Sequence, residues 1–545
     1  MKSIEEIIYY HEEGFEQYLE TENSDKTRKS SLVETLLHKP TNEISQSIFN
    51  QLKPNLNIAS KEILNTKSIK KIANEFCLFF RQFQILTNEE CEFIEEINNF
   101  NYYGLTLLDF KPSECSCPVN RLYEVALSKM TTPKLVKSKL VRIYKQQLEL
   151  QQIKAGKVDN CMSDLVYGMM LDDKKAVDEY LSNRFIEFGE ERRTLLELKE
   201  NAKINRMNEL CVIKNHINTL VNDEDWGCRF ITITNKPEEL PRGYNSADKT
   251  HWNGISTPSD NVKQLQDRWR NIQSYAKRKG IPLIGIWCRE PHKKSGVHQH
   301  LLIFTKRDFL ESDKLIYSMT KNQTKNLLGK YKGIKKQILN SDEATLEQMF
   351  LNKFGYTNRS CKIDVLTNQG KPQNIVNYIT KYIMKTIDLK EYNGTSIEND
   401  DETYINKVSF HRSLWQYRAY GFFGFKKELG LWRLFQKIKN IDSCCSSIAK
   451  SSNIEKAINA AKEGDFSKFL EVSPNIDIAH NRGETAHGEY AYKPVGLVEL
   501  VDSQAITGYY FDEAESLLSS KYGEMLISSR DIRSMILPKY EVKTE

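Results

Sequence analysis

Two histidines two residues apart and two tyrosines four residues apart are where this chain could do chemistry. The first pair lies in the segment Glu290-Pro-His-Lys-Lys-Ser-Gly-Val-His-Gln-His-Leu-Leu-Ile-Phe304. On a strand, side chains at i and i+2 point to the same face, so His298 and His300 would project side by side and could share one metal ion. Imidazole suits a divalent transition metal, and a third, oxygen ligand would leave positions open for a phosphate. Glu290, at the end of the preceding strand, could face both histidines across a hairpin and is the candidate third ligand. His292 is its competitor. Two histidines merely hydrogen-bonded in a sheet would show the same spacing. A histidine-triad nucleotide hydrolase would need a histidine at position 302, where the chain has Leu302.

The second pair lies in Asn377-Tyr-Ile-Thr-Lys-Tyr-Ile-Met-Lys385. On a helix opening at Pro372 and running to about Ile387, Tyr378 and Tyr382 share one face, with Cβ atoms about 5–6 Å apart. Lys381 and Lys385 each follow a tyrosine by three. Ile375, Ile379 and Ile383 form an apolar stripe that would anchor the helix. An aromatic core stripe with lysines extending past it is the bland alternative. The chemical one is nucleophilic catalysis. A phenol with a pKa near ~10 attacks poorly unless a cation favours the phenolate, which a lysine or a metal could do. Attack on a DNA phosphate would give a phosphotyrosine ester and free a 3′ hydroxyl. The bond energy is kept, so ATP is not needed, and two tyrosines permit two successive transfers.

These residues need a frame. Arg229–Thr234, Pro282–Arg289, Val297–Phe304 and Cys361–Leu366 read as strands, rich in β-branched and aromatic residues. Asp260–Lys279 reads as a helix with Asp260 as a possible N-cap and Gly280 past its end. Consecutive strands joined by a short loop imply an antiparallel hairpin. The expected fold class is therefore α+β: an antiparallel sheet with helices on one face, spanning 225–390. Residues 1–220 read as a mostly helical region for DNA or partner binding, with apolar residues at helical spacing in 67–85 and 135–153. Residues 391–404 look like a polar surface loop, and 405–545 like a mixed, mainly helical accessory region.

Composition excludes more than it identifies. The chain has 545 residues, 39% of them apolar and 28% charged, with a net charge of +5. No apolar stretch reaches the ~18–20 residues that span a bilayer, and Met1–Tyr10 lacks the apolar core of a secretory signal. No membrane partner and a cytoplasmic location are expected. The 11 cysteines have no zinc-site spacing and read as reduced and structural. Lys321, Lys325, Lys330, Lys332, Lys335 and Lys336 surround Tyr331 without an intervening acid. That run is either a solvated face or a groove that tracks phosphates and stacks a base, with Lys325, Lys332, Lys335 and Lys336 as DNA-binding candidates.

His-Gln-His downstream of Glu-Pro-His, followed by Tyr-Ile-Thr-Lys-Tyr-Ile-Met-Lys, resembles the two-tyrosine HUH endonucleases, and in particular the phage replication gene A proteins. Phe230–Thr234, Gly285–His292, the charged segment Asp159–Leu220, Arg418-Ala-Tyr-Gly-Phe-Phe-Gly424 with Leu431-Trp-Arg433, and Ala460–Phe466 extend the resemblance, which covers about Cys115 to Leu500. It implies a sheet-based HUH domain in which His298 and His300 hold Mg2+ or Mn2+, with Tyr378 and Tyr382 as alternating nucleophiles. Lys381 and Lys385 match family lysines near the transferred phosphate. The implied activity is nicking of a phage origin to start rolling-circle replication, on single-stranded and supercoiled origin DNA. Strand separation would come from a host helicase, since the chain has no Walker-type phosphate loop. The pattern departs from the family at Gln299, often a large apolar residue, and at Asn235-Lys-Pro237, where Cys-Pro-Ser is usual. No catalytic role is assigned to the latter. A transposase or plasmid relaxase would share the chemistry, whereas a non-catalytic DNA-binding protein would have lost a ligand or a tyrosine.

Overall fold

A computed structural model of the chain describes residues 105–110, 122–188, 191–222, 225–242, 252–310, 345–353, 360–365, 383–384, 402–436, 452–485, 487–499, 527–528 and 541–544, with 69–80 and 391–396 in part. Two compact units emerge, one from residues 1–144 with 484–491, the other from 145–483 with 492–545.

The described residues of the first unit are mainly helical. Ile69, Ile72, Ala73, Phe76, Cys77 and Phe80 recur at the spacing of one helix face, and all are buried. They pack with Leu105, Phe110, and Ala126 and Met130 of α1 (Leu122–Met130), and with Val136, Leu140 and Ile143 of α2 (Pro133–Lys154), whose later half belongs to the second unit.

The second unit holds the sheet. Its elements are α3 (Asp164–Ser182), β1 (Arg184–Phe188), β2 (Glu191–Thr194), α4 (Leu195–Asn222), β3 (Trp226–Ile233) and α5 (Pro258–Arg278). Then come β4 (Ile284–Pro291), β5 (Val297–Lys306), β6 (Cys361–Val365), α6 (Glu402–Leu414), β7 (Tyr420–Phe423), α7 (Lys426–Phe435), α8 (Ser452–Glu463) and α9 (Phe466–Val472). Five strands form one antiparallel sheet in the order β6-β3-β5-β4-β7. The fold class is α+β.

Strand β5 explains the layers. Leu302 and Phe304 face one side, with Cys228, Phe230, Ile286 and Cys288, under α4, α7, α8 and α9. Leu301 and Ile303 face the other, with Ile231, Ile233, Trp287 and Ile363, under Leu265, Trp269 and Ile272 of α5. Helices thus cover both faces, not one as expected. The apolar run Leu301–Phe304 requires it, since each fully buried Leu, Ile or Phe is worth about 1.5–3 kcal/mol and leaving either face wet would forfeit half the run.

Other elements also differ from expectation. The cap of α5 is Thr257, and Asp260 is the third helical residue. Thr257 Oγ1 accepts from Asp260 N (3.2 Å), and Asp260 Oδ2 accepts from Thr257 N (2.9 Å). This reciprocal pair satisfies two end groups at once, with Pro258 fitting the first position. The charged segment Asp159–Leu220 is interrupted by the hairpin β1–β2, which pairs further with Glu541–Thr544. Helix α6 begins at Glu402, inside the stretch read as a loop. Strand β7 supplies the sheet edge beside β4. There Gly421 lies against the Trp287 indole, where a Cβ would come within 2.6 Å of the ring. The helix opening at Pro372 lies outside the described residues except at Ile383 and Met384, which are helical and fully buried.

Beneath α5 the sheet buries an ion pair. Arg229 Nε meets Glu347 Oε1 at 2.7 Å, with side chains 5% and 1% exposed. Removing one partner leaves a desolvated charge, so Arg229→Met should cost about 3–5 kcal/mol, and Arg229→Met/Glu347→Leu should recover most of that. Urea unfolding monitored by circular dichroism measures both. A double variant as unstable as the single would show that the pair does more than neutralise charge.

Candidate metal centre

The hairpin β4–β5 builds the centre from backbone register. Glu290 lies directly opposite His298, and Cys288 opposite His300, while Thr232 of β3 flanks His300 on the other side. Alternation along the strands puts Glu290, His298, His300 and Thr232 on one face. One ligand atom from each of Glu290, His298 and His300 lies within 4.8 Å of the other two. Glu290 Oε2 is 3.5 Å from His298 Nε2 and 3.6 Å from His300 Nε2, and the two Nε2 atoms are 2.7 Å apart. Lone pairs this close need a proton or a cation between them.

The surroundings orient the imidazoles. Thr232 Oγ1 is 2.9 Å from His300 Nδ1; accepting from an Nδ1–H, it would leave Nε2 as the donor atom. The His300 ring also stacks on Phe230 at 5.4 Å. Burial holds the His298 imidazole below its ordinary pKa, so it is neutral at pH 7. Glu290 and His300 are buried and His298 is half-buried. Burial pushes the Cys288 thiol up, with the Glu290 charge adding to it, so Cys288 stays protonated beside the cluster. Two imidazole nitrogens and one carboxylate oxygen converging from three strand positions fit a divalent cation that keeps open coordination sites.

His292 stands outside this group. It is exposed, with its ring 4.3 Å from that of His298. Gln299 points away from the centre, fully buried, and accepts from Arg289 Nε (3.0 Å), while Arg289 lies over Trp287. A polar residue between the histidines therefore serves the opposite face. Asn235 ties the end of β3 to α5, donating to Asn261 O (2.9 Å) and Gln264 Oε1 (2.8 Å).

The turn between the two ligand strands is clasped from outside the sheet. Val297 N donates to Asn261 Oδ1 (2.7 Å), and Cys161 N donates to Lys293 O (2.9 Å). Ser295, at φ +81°, meets the fully buried His411 of α6, whose other ring nitrogen is 3.0 Å from the Tyr417 hydroxyl. Sequence reading missed one group here. Tyr404 of α6 donates to Glu290 Oε1 at 3.4 Å. The helical spacing of Tyr404, Ile405, Val408, His411 and Leu414 was a signal that α6 starts early enough to place it.

Tyr378, Tyr382, Lys381 and Lys385, and Lys325, Lys332, Lys335 and Lys336, lie outside the described residues. Ile383 and Met384 belong to the same buried cluster as Phe230, Cys288 and Leu302, on the face that carries the histidines.

Comparison with known proteins adds a family. The model described as bacteriophage replication gene A protein matches residues 69–390, more than half of the chain. That match begins well before Cys115 and ends before the similarity read at Arg418–Gly424 and beyond. A replication protein of Haemophilus phage HP1 is 21% identical over 295 residues, covering 53% of this chain and 33% of that protein. The chain thus matches about a third of that relative's length. No solved structure matches significantly. Among the described residues, no helix is long and apolar enough to cross a membrane.

If the three side chains are one site, Glu290→Gln, His298→Ala and His300→Ala should each weaken Mn2+ binding by at least about 10–100-fold, the loss typical of disturbing even an outer ligand. His292→Ala should leave binding unchanged. Mn2+ titration followed by electron paramagnetic resonance, with circular dichroism as the folding control, tests this. Equal losses at His292 and Glu290 would make His292 a ligand.

Proposed function

Because the chain belongs to the bacteriophage replication gene A protein family, which gives it a role in phage DNA replication, we propose that it is the endonuclease that opens the phage origin. One tyrosine of the Tyr378/Tyr382 pair attacks a DNA phosphate. Its Oη–P bond forms as the P–O3′ bond breaks, the phenolic proton is given up, and the departing 3′ oxygen is protonated. The 5′ end stays on the tyrosine while the 3′ hydroxyl primes rolling-circle synthesis. The other tyrosine attacks the regenerated origin, and the freed 3′ hydroxyl then displaces the first tyrosine and closes the circle. Each exchange conserves a phosphodiester-type bond, so no ATP is consumed.

Glu290, His298 and His300 would hold Mg2+ or Mn2+. A bound divalent cation there supplies Lewis-acid polarisation of the scissile phosphate. Lys381 and Lys385 favour the phenolate and the developing phosphate charge. The lysines Lys325, Lys332, Lys335 and Lys336 track the single strand. Residues 225–390 act as the catalytic region, 1–220 as a helical region for DNA or partner contacts, and 405–545 as an accessory region. The enzyme works in the cytoplasm of the host on single-stranded and supercoiled origin DNA, with a host helicase separating the strands.

One observation carries this reading. Ile383 and Met384, which directly follow Tyr382, are buried in the cluster on the same sheet face as the two histidines. That burial supports the reading in which the tyrosine segment works on the metal side of the sheet.

Incubating the protein with labelled single-stranded origin DNA and Mn2+, without ATP, should yield an adduct that survives SDS. Tyr378→Phe and Tyr382→Phe should each retain part of it, while the double variant and His298→Ala/His300→Ala should reduce it to background. An adduct persisting in the double tyrosine variant, or no cleavage despite intact DNA binding, contradicts the proposal.

A further inference from the structure

The Glu290 carboxylate has two differently employed oxygens. Oε2 faces the two imidazole nitrogens at 3.5 and 3.6 Å, and Oε1 accepts from the Tyr404 hydroxyl at 3.4 Å. Tyr404 stands in the first turn of α6 and is half-buried. It lies beyond residues 69–390, the part of the chain that the family match covers.

Helix α6 is held rigidly enough to make this contact directional. Lys407 and His411 follow Tyr404 by three and seven, so all three share one helix face. Lys407 is buried and donates to Asp164 Oδ1 at 2.7 Å and to Asp159 O at 3.3 Å. His411 is buried between Tyr417 and Ser295, in the turn joining the ligand strands. Burial pushes His411 down to about 3, so it is a neutral, fixed hydrogen-bonding ring at ordinary pH. Three polar fasteners on one helix face thus reach Glu290, the α3 N-terminal region and the β4–β5 turn. Val408 and Leu414 add apolar packing in the same place.

We infer that Tyr404 is a positioning residue for the metal centre. By donating to Oε1 it holds the Glu290 carboxylate with Oε2 turned toward His298 and His300. Ligating carboxylates depend on such partners, because a hydrogen bond on the distal oxygen fixes rotation about the last side-chain bond and lowers the entropy lost on metal binding. The inference rests on the reading of Glu290, His298 and His300 as a cation site. Tyr404 forms no bond to DNA; its hydroxyl acts only through Glu290.

The test uses the full chain and Mn2+ alone, followed by electron paramagnetic resonance, with a thermal melt as the folding control. Tyr404→Phe should weaken Mn2+ binding by about 10-fold or more and leave the melting midpoint close to that of the parent. In the origin-cleavage reaction, the Mn2+ concentration giving half-maximal adduct should rise by the same factor, while the adduct at saturating Mn2+ should match the parent. Unchanged Mn2+ affinity in Tyr404→Phe, with the parent's binding still lost in His298→Ala/His300→Ala, overturns the role of Tyr404 and leaves the metal centre standing. Adduct lost at saturating Mn2+ overturns it too, by making Tyr404 a reacting group. Parent binding that survives His298→Ala/His300→Ala removes the metal centre itself, and with it any role for Tyr404.

Discussion

The alternation of side chains along β5 is the constraint on which the rest depends. His298, His300, Leu302 and Phe304 face one side, and Gln299, Leu301, Ile303 and Thr305 the other. A slip of one residue would present Gln299 and Leu301 where the imidazoles stand, and would turn two histidines into the core beneath α5. Register is held on both sides. Eight consecutive residues of β3 and eight of β4 pair with β5, and apolar layers on both faces reject the slipped arrangement. The placement of the histidine pair is specified by the same pattern that specifies the core.

A second level of order comes from buried polar groups around the hairpin turn. Asn261, Ser295, His411, Tyr417 and Lys407 are all buried. Each lost partner in such a network leaves a desolvated donor or acceptor, at about 1–3 kcal/mol. These contacts do little for the apolar core. They fix where the two ligand strands turn, and they bring α6, distant in sequence, against Glu290. The Glu290–His298–His300 cluster is therefore assembled from a local hairpin and steadied in part by α6, more than a hundred positions away.

Much of this was legible in the sequence because it is local. His-x-His on a β-branched strand, with Glu290 at the end of the preceding strand, needs only the two-residue period and a short turn to converge. The four principal strands and helix α5 announce themselves by composition and by Pro and Gly punctuation. What was illegible is tertiary. Helices on both faces follow from which helix packs where, and the acid-rich stretch 391–404 hid the start of α6 by its polarity. Tyr404 reaches Glu290 only once α6 has been docked by Lys407 and His411, and no spacing rule links positions 290 and 404. The N-cap of α5 was misplaced by three because an acid at the third helical position looks like a cap when the preceding Thr257-Pro258 is not weighed.

Identifying the residue that becomes linked to DNA tests the proposed role of the tyrosine pair most directly. The adduct formed with Mn2+ and origin DNA would be digested with nuclease and protease, and the modified peptide sequenced by mass spectrometry. The proposed role predicts a nucleotide remnant on Tyr378 or Tyr382, in the peptide that leads into Ile383 and Met384. A remnant on Tyr404, or on any residue outside that segment, would contradict it.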